Sequence, residues 1–132
     1  MRRSPVWLAC LALSLPGLGG CQKLDIQRSV TLAPGDVKNL QIDAPRSDQK
    51  VRVTLASSDS AINAYLVLQK DHDAVDQALQ AGNRPDPSAV LASQEKAKEA
   101  TLEATVPAKS GFSIFFNGAT KPTTVSVQVT GR

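Results

Sequence analysis

Residue types that build reactive centres are scarce in this chain of 132 residues, which has two cysteines and one histidine, His72. A site with several histidine ligands for a metal is therefore excluded. Cys10 belongs to a segment that we expect to be removed, and Cys21 is expected to be alkylated, so disulfides, thiolate metal sites and cysteine nucleophiles are excluded from the folded part. The Gly-x-Ser-x-Gly motif of serine hydrolases and a glycine-rich phosphate loop are also absent. The sequence thus predicts no enzyme, with no catalytic residue, no metal and no cofactor.

An excess of charge of one sign is also missing. The formal net charge is +3, but Arg2 and Arg3 leave with the first twenty residues, where no acidic residue occurs. The remaining chain has 13 basic and 12 acidic side chains, a balance of +1. Electrostatic binding of nucleic acid depends on clustered basic residues, so a nucleic acid partner is not predicted.

Hydrophobic runs are limited to one short stretch near the N-terminus. Two arginines in Met1–Trp7 precede the apolar stretch Val6–Leu15, whose ten residues are too few to cross about 30 Å of hydrocarbon as a helix. Pro16 and Gly17 follow. A basic start, a short apolar middle and a small-residue end are typical of a secretory signal peptide, so residues 1–20 are predicted to be removed.

The signal ends in Leu18-Gly19-Gly20-Cys21. This sequence resembles the bacterial lipobox, in which an apolar residue and two small residues precede the cysteine that receives the lipid. The resemblance implies that a diacylglycerol is attached to the thiol of Cys21 and that a lipoprotein-specific peptidase cuts between Gly20 and Cys21. The alternative is ordinary cleavage nearby, which would leave Cys21 as a free thiol.

The lipid also predicts where the protein resides. One acyl chain holds a protein at a membrane only marginally, whereas two or three chains give stable attachment. Gln22 follows the cysteine in place of the aspartate that resembles an inner-membrane retention signal, which favours the outer membrane, with the domain facing the periplasm. The predicted division is a signal peptide at 1–20, a lipidated tether at 21–27 and a folded domain at 28–132.

Most of the folded part alternates between apolar and polar residues, the pattern of half-buried strands. Val67 beside Leu66 and Leu68 predicts that its strand is central and covered on both faces. Seven short strands separated by turns predict an all-β fold, an antiparallel β-sandwich of the jelly-roll or immunoglobulin-like type with one short helix in a loop. The strands are defined by Val30 and Leu32, Leu40 and Ile42, Val51 to Leu55, Ile62 to Leu68, Leu102 to Val106, Phe112 to Phe116, and Val125 to Val129.

Turn residues mark the connections between these strands. Ala33-Pro34-Gly35-Asp36 has the residues of a type II turn. Asn117-Gly118 is a dipeptide typical of β-hairpins, and it is predicted to join the strand of Phe112 to the strand of Val125.

One insertion interrupts the strands. Residues 71–82 predict a short helix across one end of the sandwich, capped by Asp73 and ended by Gly82, with one apolar face. The stretch that follows has charged helix-forming residues but no apolar face. A short strand at 90–92 and a solvated loop over 93–101 are predicted there.

His72 lies between Asp71 and Asp73, an arrangement that would suit a proton shuttle or a small metal site. Adjacent residues of a chain do not converge on one point, so we interpret them as solvated loop and capping groups. Calcium, which prefers oxygen ligands, is the alternative for Asp71, Asp73 and Asp76, but neither a glycine at the turn nor a later glutamate accompanies them.

The aromatic residues that remain after cleavage are Tyr65, Phe112, Phe115 and Phe116. Phe112 and Phe116 fall on the predicted core face. Tyr65 and Phe115 fall on the opposite face, where they either cover the second side of central strands or form an exposed patch that binds a partner. No tryptophan remains to form the flat platform that carbohydrate-binding sandwiches usually display.

The order of these elements is similar to that of the bacterial pre-peptidase C-terminal domain, a small exported β-sandwich. The residues that carry the resemblance are Pro34-Gly35, Ile62 to Val67, Ser110-Gly111-Phe112 and the closing Val125-x-Val127-x-Val129. The family usually has acidic residues where this chain has Asn63 and Ala64, and it usually follows a protease. The resemblance implies a fold more than a function.

Together these features predict a lipoprotein of the bacterial cell envelope that acts as a non-catalytic binding module. Its predicted partners are the membrane, through the lipid on Cys21, and an envelope protein or glycan. The alternative is a small-ligand or glycan binder that uses end loops at 71–88 and 121–123, and a third interpretation is a hydrolase with carboxylates that no motif marks. A concave, aromatic-lined end would favour ligand binding, whereas a flat polar surface would favour protein contacts.

Overall fold

The computed structural model describes residues 24–131 as two antiparallel β-sheets and one short helix, α1 (His72–Gln80). This part of the chain contains eight strands, one more than the seven predicted. The all-β class and the sandwich architecture are confirmed. The strands are β1 (Leu24–Leu32), β2 (Lys38–Ile42), β3 (Gln49–Ser57), β4 (Ile62–Leu68), β5 (Ala92–Ala97), β6 (Glu99–Val106), β7 (Phe112–Asn117) and β8 (Thr123–Gly131).

The strand order determines which kind of sandwich this is. The first sheet has the order β1-β8-β3-β6, and the second has the order β2-β7-β4-β5. Within residues 24–131, only the β4–β5 connection, which contains α1, stays in one sheet, and every other connection crosses to the opposite sheet. Two four-stranded sheets linked in this way form a jelly roll.

The first crossing, from β1 to β2, uses the type II turn predicted at residues 33–36, which is confirmed. Gly35 has a φ of +85°, a value that an L side chain rarely adopts. The N–H of Asp36 donates to the carbonyl of Ala33 at 3.0 Å and closes the turn.

The hairpin predicted at Asn117-Gly118 is wrong, because β7 and β8 lie in different sheets. Gly118 has a φ of +83°, and a Cβ at this position would lie 2.6 Å from Nδ2 of Asn63. Glycine is therefore required at this bend. The bend alone does not determine whether the following strand pairs with its predecessor or crosses to the other sheet.

The core lies between the inner faces of the two sheets. Every second residue of β3 and β8 is buried there, including Val53 and Val127, whose exposed fractions are 0% and 3%. Phe112 and Phe116 lie in the same core, as predicted. Removal of such apolar surface from water is the main source of stability in a domain without disulfides.

The helix α1 lies on the outer face of the second sheet, so the prediction that it crosses one end of the sandwich is wrong. Its buried residues, Val75 and Leu79, are one helical turn apart and form an apolar cluster with Tyr65, Val67 and Phe115 of the sheet. A helix with one apolar stripe buries it against the apolar surface that is available, and here that surface is a sheet face. The prediction for β4 is confirmed, because its central residues are buried on both faces.

The two ends of α1 differ in how well the sequence predicts them. Asp71, and not Asp73, is the N-cap residue, and its side chain makes no capping hydrogen bond. The prediction of Asp73 as the cap is therefore wrong. The helix ends as expected before Gly82, whose φ is +81° and whose N–H donates to the carbonyl of Leu79 at 3.0 Å.

The strand β5 occupies residues 92–97, so the short strand predicted at 90–92 shares only residue 92 with it, and the solvated loop predicted from residue 93 is wrong. It is an edge strand of the second sheet and pairs with β4, with a bulge between Ile62 and Ala64. At the bulge, the N–H of Lys96 donates to Oδ1 of Asn63 at 2.9 Å. An edge strand is held by backbone hydrogen bonds on one side only and tolerates charged side chains, so it has no clear apolar alternation.

The first strand begins within the predicted tether. The strand β1 begins at Leu24, within the segment 21–27 that the sequence assigns to a tether and four residues before the predicted domain start at 28. Among residues 24–131, no helix combines the length and the apolar character needed to cross a membrane.

Candidate functional site

The outer face of the first sheet is exposed to solvent. In β3, the buried Val53 and Leu55 alternate with the exposed Thr54 and Ala56, because successive side chains of a strand point to opposite faces. The strand β8 alternates in the same way. A shallow groove of about 560 Å³ crosses this surface, which we call the open face. Its lining includes Gln27, Ser29, Thr54, Ala56, Ser126 and Gln128.

The groove on the open face offers hydroxyl and amide groups, and Arg28 is the one charged residue in its lining. These groups both donate and accept hydrogen bonds. Charged side chains of the same face lie around the groove: Asp25, Lys50, Glu99, and the ion pair of Arg52 and Glu103, in which Nη2 lies 2.7 Å from Oε2 and both side chains are 61% exposed. The arrangement suits hydrogen bonding to a polar surface and provides no nucleophile activated by a base.

The outer face of the second sheet is apolar and lies under α1. Tyr65 and Phe115 are directly opposite each other in the β4–β7 register, and their exposed fractions are 4% and 0%. The hypothesis that these two aromatics form an exposed binding patch is therefore wrong, and the alternative, that they cover the second side of central strands, is confirmed. The apolar face of Val75 and Leu79 is the sequence signal that could have indicated this, because that face needs an apolar partner.

A hydrogen-bonded group of three side chains lies at the margin of this covered face. The Tyr65 hydroxyl donates to Oε2 of Glu95 at 2.9 Å, and Nη2 of Arg84 lies 3.1 Å from Oε1 of the same carboxylate. Burial, the hydrogen bond to Glu95 and the negative charge of Glu95 together raise the pKa of Tyr65 from 10.0 to about 12, and the positive charge of Arg84 opposes them. The phenol therefore stays protonated and holds β5 and the preceding loop against β4. The sequence gives no signal for this group, because Glu95 lies in the stretch where a solvated loop is predicted.

His72 also packs on the covered face. Its Nδ1 lies 3.0 Å from Oγ of Ser113, and its ring centroid is 4.9 Å from that of Phe115 at an interplanar angle of 44°. The interpretation of His72 as a solvated loop residue is wrong, because the helix begins at this residue and places it over β7. Ser113 is fully buried, so its hydroxyl is inaccessible to a substrate and needs the histidine as its hydrogen-bond partner.

The loops of the ligand-binding alternative lie at opposite ends of the sandwich. Thr123 hydrogen-bonds to Ser57 at 2.6 Å, at the end where β3 leads into β4. Asp71 follows the other end of β4, and the six residue steps along that strand span about 20 Å. The structure therefore does not bring residues 71–88 and 121–123 together. Among residues 24–131, no group of three histidine, cysteine, aspartate or glutamate side chains is placed to hold a metal ion.

The predicted lipidation and cleavage residues, Gly20 and Cys21, lie outside the described residues. The lipid anchor therefore stays a prediction. What the structure adds is the position of Leu24, the first residue of β1, at the edge of the first sheet.

Known proteins match this chain by structure and not by sequence. Neither a family model nor a curated protein matches it. The pre-peptidase C-terminal domain of a collagenase from Bacillus anthracis is similar, with a TM-score of 0.57 and 10% identity over 80% of this chain and 89% of that one. PliG of Aeromonas hydrophila, a periplasmic inhibitor of g-type lysozyme, has a TM-score of 0.51 and 13% identity over 86% and 90%. The Yersinia pseudotuberculosis-derived mitogen has a TM-score of 0.56 and 10% identity over 83% and 86%.

These similarities establish the fold. The resemblance to the pre-peptidase C-terminal domain is confirmed as a likeness of β-sandwiches. Identities of 10 to 13% do not transfer an activity.

Proposed function

We propose that this protein is a lipid-anchored module of the bacterial cell envelope that binds another envelope protein through its open face and has no catalytic activity. The observation that carries the proposal is the open face itself. A four-stranded sheet presents hydroxyl and amide side chains around a shallow groove, while the equivalent face of the other sheet is covered by α1. A flat polar surface of this kind suits contacts with a protein.

A glycan is less well supported as the partner. All the aromatic residues of the described part are at least 96% buried, so the open face has no ring on which a sugar could stack. The loops that would have formed a ligand-binding end are separated by the length of β4. We therefore favour a protein partner.

The contacts of His72 and Tyr65 within the fold support a non-catalytic module. His72 packs against Phe115 and Ser113, and the Tyr65 phenol is held by Glu95. These groups therefore have structural roles within the fold. Among proteins of similar fold, PliG is a periplasmic inhibitor of g-type lysozyme, so a sandwich of this kind serves as an inhibitor in another protein.

The anchor part of the proposal rests on the lipobox resemblance. Lipidated Cys21 would hold the domain at a bilayer, and Gln22 favours the outer membrane with the domain in the periplasm. Mass spectrometry of the native protein should find Cys21 as the N-terminal residue with a diacylglycerol on its thiol. The Cys21→Ser variant should leave the membrane fraction while keeping its fold. An unmodified thiol, or a variant that stays with membranes, contradicts the anchor.

The binding part is tested by a photo-activated cross-linker placed on the open face. We expect the residue at position 126, on β8, to form a discrete cross-linked species with an envelope protein in cells. The same cross-linker at position 94, an exposed site on the edge strand β5, is the matched control. Identical cross-linking patterns at both positions, or none at position 126, would contradict a specific protein contact on the open face.

The same surface is then tested by substitution. Ser126→Arg places a long charged side chain in the groove and should abolish capture of the cross-linked protein, whereas Gln94→Arg should leave capture unchanged. Both positions are exposed, so neither substitution is expected to unfold the domain. Circular dichroism and thermal unfolding check this.

A further inference from the structure

The two edges of the sandwich are built differently. At one edge, β5 and β6 contact each other and close the space between the sheets. At the other edge, β1 and β2 are joined only by the turn at residues 33–36 and make few contacts along their length. A groove of about 580 Å³ opens between them, which we call the edge groove.

The edge groove has apolar walls and basic side chains. Leu24 and Ile26 of β1 face Leu40 of β2, and all three are only partly buried. Arg28 and Arg46 line the same groove, and neither forms an ion pair within residues 24–131. Asp43 is the one carboxylate among the groove residues, so the groove carries a small excess of positive charge. Its surface is therefore amphipathic.

Arg28 occupies a position that a closed sandwich would fill with an apolar residue. In the alternation of β1, it falls on the inward-facing row with Ile26 and Val30, yet it is exposed. An inward-pointing charge on an edge strand blocks pairing with another strand. A second copy of this chain or an added peptide strand is therefore a poor occupant. An anionic group with an apolar part fits both the charge and the walls.

The short distance between the edge groove and Cys21 indicates a source for an anionic group with an apolar part. Leu24 lines the edge groove and follows Cys21 by three residues, which span at most about 11 Å when extended. When the proposed lipid on Cys21 is inserted in a bilayer, the opening of the groove is therefore held close to the lipid headgroups. Arginine binds phosphate through paired hydrogen bonds, and basic residues near an anionic membrane strengthen attachment.

We propose that the edge groove is the membrane-facing surface of the domain and that it takes the phosphate headgroups of anionic phospholipids. Arg28 and Arg46 contact the phosphates, while Leu24, Ile26 and Leu40 enter the interface between headgroups and acyl chains. The inference rests on the proposed lipid anchor. It uses Arg28, which borders both grooves, and leaves Thr54, Ser126 and Gln128 of the open face free for a partner.

The first test measures which edge of the sandwich meets the lipid. With Cys21 alkylated and Cys10 removed, a single introduced cysteine is the only thiol available for an environment-sensitive fluorophore. Gln41→Cys labels the edge groove, and Gln94→Cys labels the opposite edge of the same sheet. The lipidated protein is reconstituted in vesicles of phosphatidylethanolamine and phosphatidylglycerol that carry a quencher on their acyl chains. We expect quenching at position 41 and little at position 94.

The second test addresses the charge. Arg28→Gln and Arg46→Gln should each reduce the quenched population at position 41 by about fivefold relative to the unquenched one. The dependence on phosphatidylglycerol should disappear in the double variant. Lys98→Gln with Lys121→Gln removes the same charge from exposed positions away from the groove and should have no effect.

The outcomes separate this inference from the proposed function. The edge groove is contradicted as the membrane-facing surface if the lipidated protein shows equal quenching at positions 41 and 94. The same holds if quenching does not change when Arg28 and Arg46 are replaced. Either result leaves the anchor intact. Quenching between labelled copies that does not depend on lipid would assign the groove to a second copy of the chain. An unmodified thiol at Cys21 in mass spectrometry contradicts the anchor and this inference with it.

Discussion

Both sheets of this jelly roll contribute to the core, but their outer faces differ in character. In the first sheet, β3 and β8 alternate strictly between buried and exposed residues. In the second sheet, the central residues of β4 and β7 are all buried, because α1 covers the outer face. The two outer faces differ in composition. The outer face of the first sheet has threonine, serine and glutamine, and that of the second sheet has tyrosine, valine and phenylalanine.

This contrast shows which part of the surface is free for function. The apolar outer face of the second sheet is satisfied within the fold by Val75 and Leu79, so its aromatic residues stabilise the domain. The polar outer face of the first sheet needs no cover and remains available. Changes on the two outer faces should therefore have different consequences, in stability for one and in binding for the other.

The largest effect is expected from a charge on the shared core. Val53→Asp places a carboxylate between the sheets at a fully buried position, at a cost that approaches the whole stability of a small domain, about 5–15 kcal/mol. We expect loss of the cooperative thermal transition. Thr54→Asp, one residue further along β3, points to the open face and should keep that transition. A cooperative melt of the Val53 variant near the parent temperature would mean that the strand faces are assigned incorrectly.

The next effect distinguishes the two outer faces directly. Phe115→Ala removes a fully buried ring beneath α1 and should lower the free energy of unfolding by about 3–5 kcal/mol. Gln128→Ala, on β8 of the open face, should change it by no more than about 0.5 kcal/mol. Urea unfolding followed by circular dichroism measures both values. Equal values for the two variants would contradict the claim that α1 covers the outer face of the second sheet while that of the first sheet is uncovered.

The sequence predicts the sandwich well because alternation with a period of two is a local signal. Each residue of β3 shows which face it occupies, and the three adjacent apolar residues around Val67 show that β4 is covered twice. The turn at 33–36 is equally local, because proline and glycine determine its dihedral angles. These features need no knowledge of distant parts of the chain.

The errors concern contacts between distant segments. The bend at Gly118 fits a hairpin or a crossing, and only the pairing of β8 with β1 and β3 decides between them. The position of α1 depends on which apolar surface is left uncovered, and β5 is an edge strand without an apolar pattern. The open face cannot be predicted as a site, because the exposed polar residues of a strand have the same pattern whether they bind a partner or only water. For the anchor, by contrast, a compact motif at Cys21 suffices for the prediction.

A smaller effect is expected at the margin of the covered face. Tyr65→Phe removes the hydrogen bond to Glu95 and should lower the free energy of unfolding by about 1 kcal/mol. The parent should also lose stability as the pH rises from about 10 to 12. In that range, the unfolded tyrosine releases its proton, whereas the folded one, with a pKa of about 12, retains it.

The pH effect is measurable because Tyr65 is the only tyrosine in the chain. Its ultraviolet absorbance reports the ionisation directly, and the phenylalanine variant should lack this part of the alkaline destabilisation. A titration midpoint near 10 in the folded protein would contradict the buried contact with Glu95.

The smallest effect is expected for the ion pair beside the open face. Arg52 and Glu103 are in close contact, but both side chains are 61% exposed, so that water and salt screen their attraction. Glu103→Gln should lower the free energy of unfolding by about 0.2–1 kcal/mol, less at high salt. Glu95→Gln on the second sheet should cost more, because that carboxylate is only 31% exposed and also accepts the Tyr65 hydroxyl. Equal costs in urea unfolding would mean that the cover provided by α1 and its loop does not extend to β5.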